Sequence, residues 1–205
     1  MLSGFDAVER DARELLDGLC EEDGTRRPDP QAWSVAECLD HLAISNRAYL
    51  DAIRAAASVP ARDSREPGAY PGWLGRWIAW TLEPPVRILR TKAPALSRPR
   101  NSPTLHDASQ AFLRSHHETV AFLRASSGVD LTRARFANPF IPGLKLSLAA
   151  GLHIIAAHER RHLWQAWRVR TRTGLITMSQ RAGLSRLTDM HDFIRTTPEA
   201  EESAK

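Results

Sequence analysis

The chain has 205 residues, and its hydrophobic and charged fractions of 42% and 25% are those of an ordinary folded domain. It contains no apolar run of about 18 residues, which excludes a transmembrane helix, and its charged amphipathic start does not resemble a signal peptide. The two cysteines and a net charge of +4 dispersed among acidic residues favour a cytoplasmic protein with free thiols over a nucleic-acid binder.

The first two predicted helices lie on either side of a segment rich in proline and charge. Apolar residues recur at helical spacing over about residues 5–20. The second helix is predicted to begin after Ser34, because Glu37 follows three residues later in the pattern of a capping box. It extends to about residue 57 and carries His41 two turns from its start. Taken alone, a histidine among leucines is more typical of a packed side chain than of a metal ligand.

A long connection follows, and it contains one short helix. Trp73, Trp77 and Trp80 recur at spacings of four and three, and Pro84 ends the pattern. Such a helix is too short to span a bilayer. Its aromatic face suits burial against the rest of the domain or against a partner subunit, and the alternative is a place on a membrane surface.

The second half of the chain carries two further long helices. Thr104 can cap a helix over about residues 105–125, whose apolar stripe includes His116. His116 is a candidate for a place near a cavity, although a packed histidine is the commoner case. A loop over residues 128–143 leads to the next long helix, at about residues 147–170.

The predicted fold class is all-α. No segment alternates with period two, so we expect an antiparallel four-helix bundle with extra short helices in the long crossover and at the C-terminus. Residues 1–175 form the predicted bundle domain. Residues 176–205, a helix at about 179–195 and an acidic tail, are expected to pack on it.

The last long helix carries two histidines that favour a metal site. His158 and His162 are four residues apart and share one face of the helix, so two neutral imidazoles can hold adjacent positions on one divalent ion. His153 lies about 140° from that face and is not expected to join them. With Glu159 the pair also matches H-E-x-x-H, the pattern of zinc proteases in which the glutamate is the general base. A solvated helix face that carries two histidines by chance is the third interpretation.

The zinc-protease interpretation and the helical-bundle interpretation differ in where the third metal ligand comes from. A metzincin would continue with glycine and histidine where this chain has Gln165 and Arg168, and no strand is predicted to align a peptide substrate. A helical bundle needs an inward histidine from a facing helix, which His41 supplies. We therefore favour the bundle.

Two stretches carry a resemblance to a known family. WSVAECLDHL, which ends at Leu42, and HERRHLWQ, which begins at His158, resemble the DinB/YfiT-like superfamily, whose motifs are W-[ST]-x-x-E-x-x-x-H-[LI] and H-x-x-x-H-x-x-Q. The resemblance covers about residues 5–170. It implies a four-helix bundle, often homodimeric, in which His41, His158 and His162 bind a divalent metal ion, with zinc and nickel the leading choices. It also implies similarity to S-transferases that use bacillithiol or mycothiol and to a mycothiol-dependent isomerase.

The donor set predicts a class of chemistry. Three neutral imidazoles leave coordination positions open, and a metal ion there lowers the pKa of bound water or of a thiol. We expect a metal-dependent transferase or hydrolase that acts on a small-molecule substrate, with a low-molecular-weight thiol or water as the nucleophile. A non-catalytic, metal-stabilised dimeric binding or stress-response module is the alternative. Neither nucleic acid nor a membrane is expected as a partner.

Two more residues are candidates for catalysis. Glu37 lies one turn before His41 and could orient its imidazole or take a proton, besides serving in the capping box. Gln165 lies near the face of His162 and could donate to a bound ligand, although a surface position would explain it equally well.

Overall fold

The computed structural model describes residues 1–58, 73–84, 93–126 and 130–172, and most of them are helical. The helices and strands have the following bounds: α1 (Leu2–Leu16), α2 (Glu21–Thr25), α3 (Val35–Ala57), α4 (Trp73–Leu82), α5 (Leu105–Ala125), β1 (Arg135–Ala137), β2 (Lys145–Ser147) and α6 (Leu148–Arg172). A 3-10 turn at Ala95–Ser97 lies in the crossover between α4 and α5. The described residues contain no helix that is both long and apolar enough to cross a membrane.

The long helices begin where capping residues predict. The Ser34 hydroxyl accepts from the Glu37 backbone N–H at 3.2 Å, and the Glu37 carboxylate accepts from the Ser34 N–H at 2.8 Å, so the capping box of α3 is confirmed. Thr104 caps α5 by accepting from the Asp107 N–H at 3.0 Å. Each cap satisfies backbone donors that have no partner within the helix.

The predicted predominance of helix is confirmed, with two local corrections. β1 and β2 form an antiparallel pair in which Phe136 faces Leu146, and both side chains are buried. Three residues are too few to display a period-two pattern, which is why the expectation of no strand was wrong. The five-residue α2 was also not predicted. Its Glu21 carboxylate accepts from the Leu105 N–H at 2.6 Å, a tertiary contact that local sequence does not reveal.

The core lies between α3 and the helices around it. α3 packs against both α5 and α6, α1 packs against the same two helices, and α4 lies along α6. Among the largest fully buried side chains are Phe5, Phe112 and Trp167. The antiparallel order of a four-helix bundle and the division at residue 175 stay predictions. The predicted last helix lies outside the described residues.

α4 is held against α6 by a buried ion pair. The Arg160 guanidinium donates through Nε to the Glu83 carboxylate at 2.9 Å, and a second bond joins Nη2 to the other oxygen. Both side chains are less than a tenth exposed. On the same helix Trp77 and Trp80 remain 51% and 41% exposed, so α4 presents part of its aromatic face to solvent.

α6 passes close to the hairpin at Gly151. A β-carbon at this position would lie 2.6 Å from Phe136 Cε1 and 2.9 Å from Ile53 Cδ1, which is closer than carbon atoms approach. Glycine here lets the helix backbone meet the aromatic ring of β1 directly.

We expect Gly151→Ala to lower the free energy of unfolding by about 1–3 kcal/mol, because the added methyl group overpacks the core. The expected loss opposes the gain of roughly 1 kcal/mol that alanine brings to an ordinary helix position. Urea unfolding followed by circular dichroism measures it. Gly4→Ala is the control, since the nearest atom there is Arg160 Nη1 at 3.8 Å. Equal or greater stability of Gly151→Ala would contradict the packing.

Candidate metal centre

Three histidines from two helices meet at one point. His41 of α3 and His158 and His162 of α6 each offer one ring nitrogen, and these atoms all lie within 4.8 Å of one another. His41 Nε2 lies 3.1 Å from His158 Nε2, and the rings of His41 and His162 are 4.5 Å apart. His153 is exposed and does not belong to the cluster. The structure therefore brings together the three residues that the family motifs single out.

The cluster has the size and chemistry of a metal site. Nitrogen ligands at about 2.0–2.1 Å from a tetrahedral zinc ion lie roughly 3.3 Å from each other. The 3.1 Å separation of His41 Nε2 and His158 Nε2 is close to that value. Within the described ranges no carboxylate or thiol joins the group. Three neutral nitrogen donors leave the charge of a divalent ion uncompensated and leave coordination positions open.

Two of the imidazoles are oriented by hydrogen bonds on their far side. His41 Nδ1 bonds to the backbone carbonyl of Ser97 in the crossover, and His162 Nδ1 lies 3.0 Å from Gln165 Oε1. Since a carbonyl oxygen only accepts, each Nδ1 carries the proton and each Nε2 is left with its lone pair. Gln165 thus contacts a candidate ligand, and donation by Gln165 to a bound molecule stays a prediction.

Burial keeps the cluster in the neutral form that binds metal. Desolvation lowers the pKa of His158 and His162 well below 6.5, and the neighbouring imidazoles lower it further. Desolvation also lowers the pKa of His41, against a smaller opposing effect of the Ser97 carbonyl. Because neutral imidazole is the ligand form, no proton has to leave these rings near pH 7 before an ion binds.

Trp33 forms a wall of the cluster. Its ring lies 4.9 Å from that of His41 and 5.8 Å from that of His162. His41 and His162 are buried, whereas His158 and Trp33 are half-buried. Trp33 and His158 are therefore the members of this group that retain contact with solvent.

A buried carboxylate next to His41 anchors the crossover. Asp40 is fully buried, and it accepts from the Arg100 backbone N–H at 2.7 Å and from Arg100 Nε at 2.8 Å. Its neighbour His41 bonds to Ser97 of the same crossover segment. Asp40 and His41, which are consecutive in α3, thus both bind the crossover segment at residues 97–100, and this segment orients the His41 ring. Sequence analysis did not single out this pair.

Glu37 is engaged away from the ring nitrogens. One carboxylate oxygen accepts from the Ser34 N–H and from Arg27 Nε at 2.8 and 2.9 Å, and the other accepts from Arg27 Nη2. Burial raises the pKa of Glu37, but the hydrogen bonds from Arg27 and Ser34 outweigh it, and the pKa is lowered. The capping role is thus observed, and a role in proton transfer stays a prediction.

Glu159 belongs to a separate buried network. It is fully buried, it accepts from Asn46 Nδ2 at 2.7 Å, and it pairs with His116 Nδ1 at 3.1 Å. Burial lowers the pKa of His116, but Glu159 more than compensates and the pKa is raised. A glutamate held in this way is not placed to act as the general base of a zinc protease. His116 is thus a packed histidine, which is the commoner of the two roles that its place on the apolar stripe suggested.

The depressed pKa values predict that the metal-free protein loses stability in acid. At His158 and His162 the unfolded chain binds protons as the pH falls below about 6.5, whereas the folded chain does not until the pH reaches their lowered pKa values. The stability that these two rings contribute above pH 6.5 is therefore lost as the pH falls. We expect His158→Asn/His162→Asn to lose less free energy of unfolding between pH 7 and pH 5 than the wild type, in urea titrations with chelator. His106→Asn, at an exposed site, is the control. An unchanged loss in the double variant would contradict the assignment.

The anchor of the crossover predicts a second effect. We expect Arg100→Ala to lower the free energy of unfolding by about 1–3 kcal/mol, because it leaves the buried Asp40 carboxylate without its guanidinium partner. Arg98→Ala, at an exposed position two residues away, should have almost no effect in the same urea titration. Adding Asp40→Asn to Arg100→Ala should recover part of the loss. If the double variant lost as much free energy of unfolding as the two single variants together, the result would contradict an interaction between Asp40 and Arg100.

Comparison with known proteins agrees with this site. A model of the DinB superfamily matches residues 5–166, a span that contains all three clustered histidines. No curated protein and no solved structure matches the chain. The chain belongs to the DinB superfamily.

Proposed function

We propose that the protein binds one divalent metal ion through His41, His158 and His162 and activates a thiol or water for attack on a small-molecule substrate. The observation that supports this most directly is the convergence of three imidazole nitrogens within 4.8 Å, with no acidic group among them in the described ranges. A closed structural zinc site uses four protein ligands, whereas three ligands are typical of catalytic sites.

The chemistry follows from the donor set. A divalent ion at this site supplies a Lewis acid that lowers the pKa of a thiol or water entering an open position. The three neutral imidazoles hold it without reducing its charge. Ser97 and Gln165 keep the rings of His41 and His162 in place, and the Trp33 ring packs beside them. Nitrogen ligands suit zinc and nickel.

The reaction class rests on the family resemblance together with this site. Transfer of a low-molecular-weight thiol, of the bacillithiol or mycothiol type, is the leading form of the proposal. Hydrolysis with water as the nucleophile uses the same open position. A homodimer in the cytoplasm is the proposed setting, since relatives are often dimeric.

A non-catalytic binding module is the second candidate, and one observation favours it. Trp77 and Trp80 of α4 are about half exposed, and Leu96 in the crossover is 76% exposed. Large exposed apolar side chains are typical of surfaces that meet a partner. In this alternative the metal stabilises the fold, and the aromatic surface carries the function.

We expect protein purified without a histidine tag to contain about one divalent ion per chain, and His41→Ala and His158→Ala to lose it, because two imidazoles bind far more weakly than three. Elemental analysis after dialysis measures the content. His153→Ala, on the same helix but outside the cluster, should retain the ion. Full metal content in His41→Ala would refute the assignment of the ligands.

Catalysis predicts a thiol-dependent rate. Protein loaded with zinc or nickel should accelerate conjugation of small thiols to chloride-bearing aromatic electrophiles, and His162→Ala should reduce the rate at least about a hundredfold through loss of the ion. Liquid chromatography of the conjugate measures it. If no thiol or ester gives metal-dependent turnover, and Trp77→Arg/Trp80→Arg converts a dimer to a monomer, the binding module is the better account.

A further inference from the structure

A concave surface lies between α3, α5 and the crossover. It is open to solvent and has a volume of about 370 Å³, and none of the three clustered histidines lines it. A volume of this order accommodates a small molecule. Its apolar lining comes from Ala43 and Ile44 of α3 and Ala111 of α5. Because its lining residues are not those of the cluster, its contents need not be those of the proposed metal centre.

Three guanidinium groups line this groove. Arg47 lies on α3, Arg114 on α5 and Arg100 in the crossover. Arg47 and Arg114 are exposed, and neither has a hydrogen-bond or ion-pair partner within the ranges that the structure describes. Arg100 donates to Asp40 through Nε and Nη2, at 2.8 and 2.6 Å, and its Nη1 has no partner among the same residues. The groove therefore presents guanidinium N–H donors that have no acceptor among the described residues.

The acidic groups do not cancel this charge. Asp40 and Asp107 also line the groove, but Asp40 is fully buried and already neutralises Arg100. Asp107, near the start of α5, is the remaining carboxylate. Three positive charges face two negative ones, so a dianion entering the groove meets two guanidinium groups that are free to turn toward it.

We propose that this groove binds the phosphate group of a small organic phosphate monoester. A phosphate monoester carries up to two charges and three terminal oxygens, enough to accept from Arg47, Arg114 and Arg100 Nη1 together. A carboxylate has two oxygens and one charge, and one planar guanidinium satisfies it. The apolar floor at Ala43, Ile44 and Ala111 receives the organic part of the ester.

The test is calorimetric titration of the 205-residue chain, stripped of metal, with phenyl phosphate, inorganic phosphate and benzoate at constant ionic strength. We expect phenyl phosphate to bind at one site per chain, inorganic phosphate to bind more weakly because it lacks the apolar part, and benzoate to bind most weakly. Removing metal excludes direct ligation of phosphate at the histidine cluster. A negative result for metal binding leaves this titration unaffected, so the two proposals fail separately.

Variants of exposed residues locate the site without disturbing the core. Arg47→Gln/Arg114→Gln should weaken phenyl phosphate binding at least about tenfold, and Asp107→Asn should strengthen it by removing a like charge. Arg124→Gln, an exposed arginine at the far end of α5, should leave the affinity unchanged. Equal affinity of the wild type and the double variant, equal affinity for benzoate and phenyl phosphate, or no binding of phenyl phosphate would each overturn the proposal.

Discussion

The contact between α3 and α6 at His41 and His158 is the feature on which the candidate site depends. Imidazoles pressed together and removed from water stay neutral, since burial lowers the pKa of all three rings of the cluster. Three neutral nitrogens without a carboxylate are poor partners for one another and good ligands for a cation. A shift of α6 by one residue would turn both of its histidines away from His41.

Buried polar contacts around the cluster hold that register. Asp40 and Arg100 fix the crossover beside His41, and the pair of Glu159 and His116, with Asn46, joins α6 to α5 and α3. Asp40 and Glu159 are fully buried, so an arrangement that separated either carboxylate from its partners would leave a buried charge unpaired. We interpret these contacts as devices that select one packing of the helices, and thereby one geometry of the three histidines.

Local sequence was sufficient for much of this structure and insufficient for the rest. The starts of α3 and α5 were predictable because Ser34 and Thr104 cap them through contacts three residues apart. The spacing of His158 and His162 placed both on one face, whereas His41 was a candidate from a facing helix that the family motif then singled out. The Ser97 and Arg100 contacts span 56 and 60 residues, and the partnership of His116 with Glu159 spans 43. No local pattern encodes contacts of that range.

X-ray absorption at the metal edge of the zinc-reconstituted protein tests the central claim most directly, because it reports the type, number and distance of the ligands around the ion. The account predicts three imidazole nitrogens at about 2.0–2.1 Å together with a light atom from solvent or substrate. In His41→Ala it predicts two imidazoles. A sulfur shell at about 2.3 Å, or two imidazoles in the wild type, would contradict a site shared by α3 and α6.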